Sequence, residues 1–171
     1  IAGSTLTDIY VMDAGEDRAE DNVIEGNYIG VTADGLSAFP AGANRIVMLG
    51  GHNNTIGGAT TAERNLFGNG PGVVIGGDGS GHTIAGNYFG LRPDGTTALI
   101  GLSHSEDAIR IGDAGVGPSS STVRGNVIGG YARGVHLNFG SSTTTVAGNL
   151  IGLGADGTTQ LGNMFGLWIE G

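Results

Sequence analysis

The sequence predicts an all-β chain folded as a single-stranded parallel β-helix, a solenoid of about six coils with no significant helix. Three observations carry this. A motif of Gly, Asn, two apolar residues and Gly recurs as GNYIG at 26–30, GNYFG at 86–90, GNVIG at 125–129 and GNLIG at 148–152, with the variant RNLFG at 64–68. Its asparagines stand at positions 27, 65, 87, 126 and 149, so long and short steps alternate and pair into a nearly constant superperiod; spacing of this kind marks a solenoid. Between the motifs, apolar residues alternate in short runs with the period of a strand, and 36 glycines in 171 residues supply tight turns.

Each coil reads as three short strands. The first pairs an outward Thr with an inward aliphatic residue, as in Thr55-Ile56, Thr83-Ile84, Thr122-Val123 and Thr145-Val146, with Val23-Ile24 in the same place. The second is the Asn motif itself, whose inward residues are Ile29, Phe67, Phe89, Ile128 and Ile151. The third alternates apolar, any, apolar: Ile9-Tyr10-Val11, Ile46-Val47-Met48, Val73-Val74-Ile75, Ile109-Arg110-Ile111, Val135-His136-Leu137 and Leu167-Trp168-Ile169. One domain over residues 1–171 results, with coils starting near 1, 24, 56, 84, 123 and 146. Ile1-Ala2-Gly3 is aligned with Ile84-Ala85-Gly86, which puts Ser4 in the Asn row. A β-helix cut between coils bares strand edges, so the ends are expected to meet further coils of a longer solenoid, or other copies stacked head to tail into a fibre.

The TIxGNxIG, NTIGG…RN and GVxI elements resemble, over essentially the whole chain, the right-handed parallel β-helix repeat of pectate-lyase-like proteins and of large secreted or surface proteins of bacteria. The resemblance implies a right-handed coil, in line with the hand of parallel crossovers, and an extracellular or cell-surface location. Such folds host lyases, hydrolases, epimerases, adhesins and fibres alike, so function has to come from particular residues.

Composition excludes several classes. A net charge of −9 repels phosphate backbones and anionic membrane surfaces, so no nucleic-acid partner is expected. All seven basic residues are Arg, which removes lysine chemistry, and the absence of Cys removes disulfides and thiolate sites. No apolar stretch approaches the roughly 18 residues of a membrane span, so no membrane insertion is expected.

Asn27, Asn65, Asn87, Asn126 and Asn149 are expected to stack as an internal ladder, since Asn tolerates a left-handed turn and bonds neighbouring carbonyls. Asp34-Gly35, Asp94-Gly95 and Asp156-Gly157 recur with the same superperiod, in long loops of alternate coils. Their Leu36, Phe39, Leu99, Ile100, Leu102 and Leu161 are expected to cover Tyr28, Tyr88 and Leu150, and stability is expected to tolerate loop changes. The acidic run Asp13, Glu16, Asp17, Glu20, Asp21 lacks the spaced pattern of a dedicated calcium loop. It reads as a solvated loop, with weak Ca²⁺ binding at Asp13, Glu16, Asp17 and Asp21 as the alternative; no other cofactor is expected.

The outward residues of the third strands, Tyr10, Val47, Val74, Arg110, His136 and Trp168, form one column. Tyr10, His104, Arg110, His136 and Trp168 are the materials of a saccharide-binding face. Glu106, Asp107 and His136 are the only groups that suggest an acid and base at a fixed separation. The adjacent Asp pair, His-Gly and Arg-x-Lys of polygalacturonases, the calcium cluster of pectate lyases and the Asp-Pro-His of mannuronan epimerases are all absent. The expectation is therefore a structural or adhesive scaffold segment without catalysis. A carbohydrate-binding or polysaccharide-processing module is the alternative.

Overall fold

The computed structural model describes residues 1–14, 16–40, 44–99, 101, 105–112 and 117–171. His104, Ile100 and Leu102 lie outside the described residues. Among the described residues sixteen strands run in chain order: β1 (Thr7–Met12), β2 (Val23–Ile24), β3 (Tyr28–Ile29), β4 (Asn44–Leu49), β5 (Thr55–Gly57), β6 (Leu66–Phe67), β7 (Val73–Gly76) and β8 (Thr83–Ala85). They continue as β9 (Tyr88–Phe89), β10 (Asp107–Ile111), β11 (Thr122–Arg124), β12 (Val127–Ile128), β13 (Arg133–Leu137), β14 (Thr145–Ala147), β15 (Leu150–Ile151) and β16 (Phe165–Ile169).

These build three parallel sheets, in the orders β1-β4-β7-β10-β13-β16, β2-β5-β8-β11-β14 and β3-β6-β9-β12-β15. From β2 onward the chain visits the three sheets in strict rotation, so each strand pairs with its counterpart one pass away, as in a parallel β-solenoid. Equivalent residues stack in register: Thr55, Thr83, Thr122 and Thr145 in one row, and Ile56, Ile84, Val123 and Val146 in the next. The inward rows form one core that includes Ile29, Ile46, Phe67, Val73, Ile84, Phe89, Ile109, Val123, Ile128 and Val135. Within it the Phe67 and Phe89 rings lie 4.4 Å apart and nearly parallel.

The asparagine row forms the predicted ladder. The backbone amide and side-chain amide of Asn65 both donate to Asn87 Oδ1, and those of Asn87 donate to Asn126 Oδ1 at 3.0 and 3.1 Å. Each side chain also donates to a carbonyl of the pass before, Asn87 to Ile56 and Asn126 to Ile84. Asn65, Asn87 and Asn126 have no exposed surface. The left-handed turn is taken by the preceding Gly26, Gly86, Gly125 and Gly148, all at positive φ, and not by the asparagines.

A second corner row escaped the sequence reading. Two residues before the Thr row, Asp21, Asn53, Gly81, Ser120 and Thr143 all adopt φ between 53° and 71°. Of the residues after them, Asn54, His82 and Ser121 are buried inside that corner, and the exposed Asn22 of the first pass donates to Asn54 Oδ1 through both its nitrogens. His82 and Ser121 are each 1% exposed.

Ile1 departs from its expected place. Its terminal amine donates to the Tyr28 carbonyl at 2.6 Å and its own carbonyl accepts from the Gly30 amide at 2.8 Å. Ile1 therefore lies beside Ile29 in the Asn-motif sheet and not at the level of Ile84, and the Ser4 amide turns to Asp8. Three residues with one apolar position fit either strand type, and pairing alone decides between them.

The Asp-Gly loops are antiparallel hairpins, closed by the bridges Val31 to Ala38, Leu91 to Ala98 and Leu153 to Gln160. They cover the outer face of the Asn-motif sheet with a second core of Val31, Leu66, Tyr88, Leu91, Leu99 and Val127, flanked by Tyr28, Ala38, Leu150 and Leu161. Leu99 and Leu161 lie there as expected. Leu36 and Phe39 do not: Leu36, beside the Asp34-Gly35 turn, is 42% exposed, and Phe39 is 39% exposed on the first hairpin although its amide donates to Gly30 as those of Leu99 and Leu161 donate to Gly90 and Gly152.

Candidate functional site

Among the described residues of the third-strand sheet, the densest cluster of charged side chains links three successive strands. Asp107 opens β10, Arg133 opens β13, and the register sets these two residues side by side. Arg133 Nε donates to Asp107 Oδ1, and His136 Nδ1 lies 2.9 Å from Asp107 Oδ2. On the far side, His136 Nε2 is 3.4 Å from Glu170 Oε2, within ion-pair reach though not aligned as a hydrogen bond. The other Glu170 oxygen accepts from Trp168 Nε1 at 2.7 Å. The series Arg133, Asp107, His136, Glu170, Trp168 therefore ties β10 to β13 and β13 to the end of β16.

Burial limits what this cluster can do. Asp107 and His136 are both 4% exposed, and both Asp107 oxygens are engaged. Arg133 and Trp168 remain open to solvent in part, and with Ser105, Ala132, Met164 and Phe165 they line a shallow depression of about 310 Å³. Phe165 meets Trp168 edge to face at 4.7 Å. Arg110 stacks in register between Val74 and His136, with its Nε buried and without a hydrogen-bond partner among the described residues.

The expected residues are thus only partly brought together. Asp107 and His136 meet. Glu106 contributes its backbone carbonyl, which accepts from the Ala132 amide at 2.9 Å, and among the described residues its carboxylate makes no bond to the cluster. Tyr10 is half exposed on β1, in the same row but separated from Arg110 by Val47 and Val74; three strand spacings are about 14 Å. Val47 and Val74 are buried, so the column is not one continuous open face. Arg133 and Glu170 were not singled out from the sequence. Arg133 stands two residues before Val135, as Asp107 stands two before Ile109, and aligning the third strands brings the pair together.

In the acidic run, Asp13 takes the Ala19 amide on Oδ1 at 2.9 Å and the Gly51 amide on Oδ2 at 3.0 Å. Those backbone hydrogen bonds, with Arg18 and His52 nearby, hold its carboxyl below the usual range. Its oxygens close a turn and join it to the next pass. Among the described residues no three His, Asp or Glu side chains are grouped as metal ligands, and no helix is long and apolar enough to cross a membrane.

Comparison of the chain with protein-family models, with curated proteins and with solved structures gave no match.

Proposed function

We propose that this chain is a scaffold segment of a secreted or cell-surface protein, a right-handed single-stranded β-helix of about six coils that acts as a rigid spacer, fibre element or adhesin body without chemistry of its own. The observation that carries the reading is the use made of the candidate site. Asp107, His136 and Glu170, the groups best suited to proton transfer, are engaged in joining β10, β13 and β16, two of them in a nearly solvent-free setting. A general acid or base must reach a substrate atom at hydrogen-bond distance; Asp107 and His136 are closed off from such contact, and among the described residues only the Glu170 and Glu106 carboxylates beside them keep open surface. The stacking that such a scaffold uses is present within the segment, where every strand from β4 to β13 is hydrogen-bonded to a counterpart on both sides. Its partners are then further coils or other copies of the chain, and no cofactor is required.

The depression beside Arg133 and Trp168 favours a second reading, a saccharide-binding or saccharide-processing module, because an aromatic pair next to a guanidinium suits a sugar ring bearing polar groups. Light scattering and negative-stain electron microscopy of the purified chain, with affinity electrophoresis against neutral and acidic polysaccharides, separate the two. Filaments, or monomers indifferent to every polysaccharide, support the scaffold. Saccharide turnover that disappears in Asp107→Asn or His136→Gln while the fold survives would sink it, and retardation relieved by Arg133→Ala would establish the binding module.

A further inference from the structure

The three hairpins stand on alternate passes of the chain, and their Asp-Gly turns, at 34–35, 94–95 and 156–157, keep the superperiod of the Asn row. Nothing in the inner core demands alternation, since Ile29, Phe67, Phe89 and Ile128 occupy equivalent places whether or not a hairpin follows. The reason lies outside the sheet. Successive hairpins touch: a Cβ at Gly35 would come within 2.8 Å of the Pro93 ring, and the Ala155 amide donates to the Gly95 carbonyl at 2.8 Å. Strands without a hairpin of their own are covered all the same, for Leu66 and Val127 are 3% and 6% exposed within the second core. Asn69, on one such pass, donates its side-chain amide both to Phe39 and to Gly101, the return ends of the hairpins on either side.

Strand spacing explains the pattern. A two-stranded ribbon lying on a sheet is about two strand spacings wide, roughly 9.6 Å, which is also the rise of two coils. One hairpin per two coils tiles the outer face without a gap. Hairpins on adjacent coils would contend for the same space, and two consecutive coils without one would leave an apolar row bare to water.

We propose that the unit by which this solenoid is lengthened or shortened is the coil pair, one coil with a hairpin and one without, and not the single coil. The Asn ladder tolerates either step, since any cut at an Asn position preserves its register; the hairpin wall tolerates only the double one. Nothing here depends on whether the solenoid serves as a scaffold or binds a saccharide.

Two tandem duplications test this in the full chain. Repeating residues 87–148 adds a complete pair, and repeating residues 126–148 adds one coil without a hairpin. The paired insertion is expected to unfold in one cooperative step at or above the parent's Tm and to leave 8-anilinonaphthalene-1-sulfonate fluorescence at the parent's level. The shorter insertion is expected to lower Tm and to raise dye fluorescence several-fold, and Val127→Thr in both copies should reduce that fluorescence. Equal Tm and equal dye response in the two duplications, or a paired insertion less stable than the single one, overturns the proposal.

Discussion

The Tyr131 hydroxyl donates to the Gly68 carbonyl at 2.5 Å across 63 residues of sequence. Phe89, from the pass between them, packs edge to face against the Tyr131 ring at 6.5 Å, so this bond spans two strand spacings through the core. Tyr131 is 3% exposed, and burial raises its phenol pKa well above the ordinary value, with Arg45 opposing weakly. Tyr131→Phe keeps the ring and strands a buried carbonyl. It is expected to cost about 1 to 3 kcal/mol, read from the urea midpoint at constant m value.

The middle of the Asn ladder should be far more sensitive than its end. Asn87 accepts from Asn65 twice and donates to Ile56, Ala85 and Asn126, whereas among the described residues the Asn27 side chain donates to Glu25 and Asn65 alone. Asn87→Ala orphans several buried groups and is expected to cost about 3 kcal/mol or more, against about 1 for Asn27→Ala. Equal losses in chemical denaturation contradict a continuous internal ladder.

The second core makes one face of the loops matter. Leu99→Ala removes a side chain 4% exposed and is expected to cost about 2 to 5 kcal/mol, the range also expected for Ile84→Ala in the inner core. Leu36→Ala, at a residue 42% exposed on the same kind of hairpin, is expected to cost under about 0.5 kcal/mol. Loop tolerance thus holds for hairpin tips and fails at their stems, which thermal melts of the three variants will show.

His82 should make the solenoid acid-sensitive. Burial lowers its imidazole pKa from the ordinary 6.5, helped by His52 and opposed by the Gly50 carbonyl and Asp13. A histidine kept neutral in the fold binds its proton more readily when unfolded. Its contribution is complete above pH 6.5 and is lost as pH falls from there through the depressed folded value, at up to about 1.4 kcal/mol per pH unit. His82→Asn, which copies Asn54 in the same row, is expected to flatten the stability profile between pH 7 and 5.5. An unchanged slope removes His82 from the acid response.

Thr143 carries strain that a neighbour shows how to relieve. It holds φ at 53° with a β-branched side chain, where Asn53 stands three passes earlier in the row at 54°. The left-handed region is costly for non-glycine residues, and least so for Asn. Thr143→Asn is expected to raise stability by about 0.5 to 1 kcal/mol, a small upward shift of Tm by calorimetry.

The rows that repeat in sequence repeat in space, and these were legible: the Asn ladder, the Thr and aliphatic rows and the alternation of the third strands each follow from side-chain period and from turn residues that admit few conformations. The left-handed corner row was hidden because Asp21, Asn53, Gly81, Ser120 and Thr143 share a backbone angle and no side-chain chemistry. Of the candidate site, Asp107 and His136 were legible as residues but not as a bonded pair with Arg133 and Glu170. Register converts residues tens of positions apart into neighbours about 4.8 Å apart, and small errors in loop length move a side chain to another row.

By itself the sequence determined the all-β class, the three kinds of strand and the inner core, because each is enforced locally by periodicity and turn chemistry. Only the tertiary structure decided where Ile1 pairs, that the Asp-Gly loops are hairpins roofing a second core, and that the acid-base candidates are tied to one another. Those outcomes depend on which groups meet across passes of the chain, where desolvation and hydrogen-bond satisfaction choose among partners that the local sequence leaves equivalent.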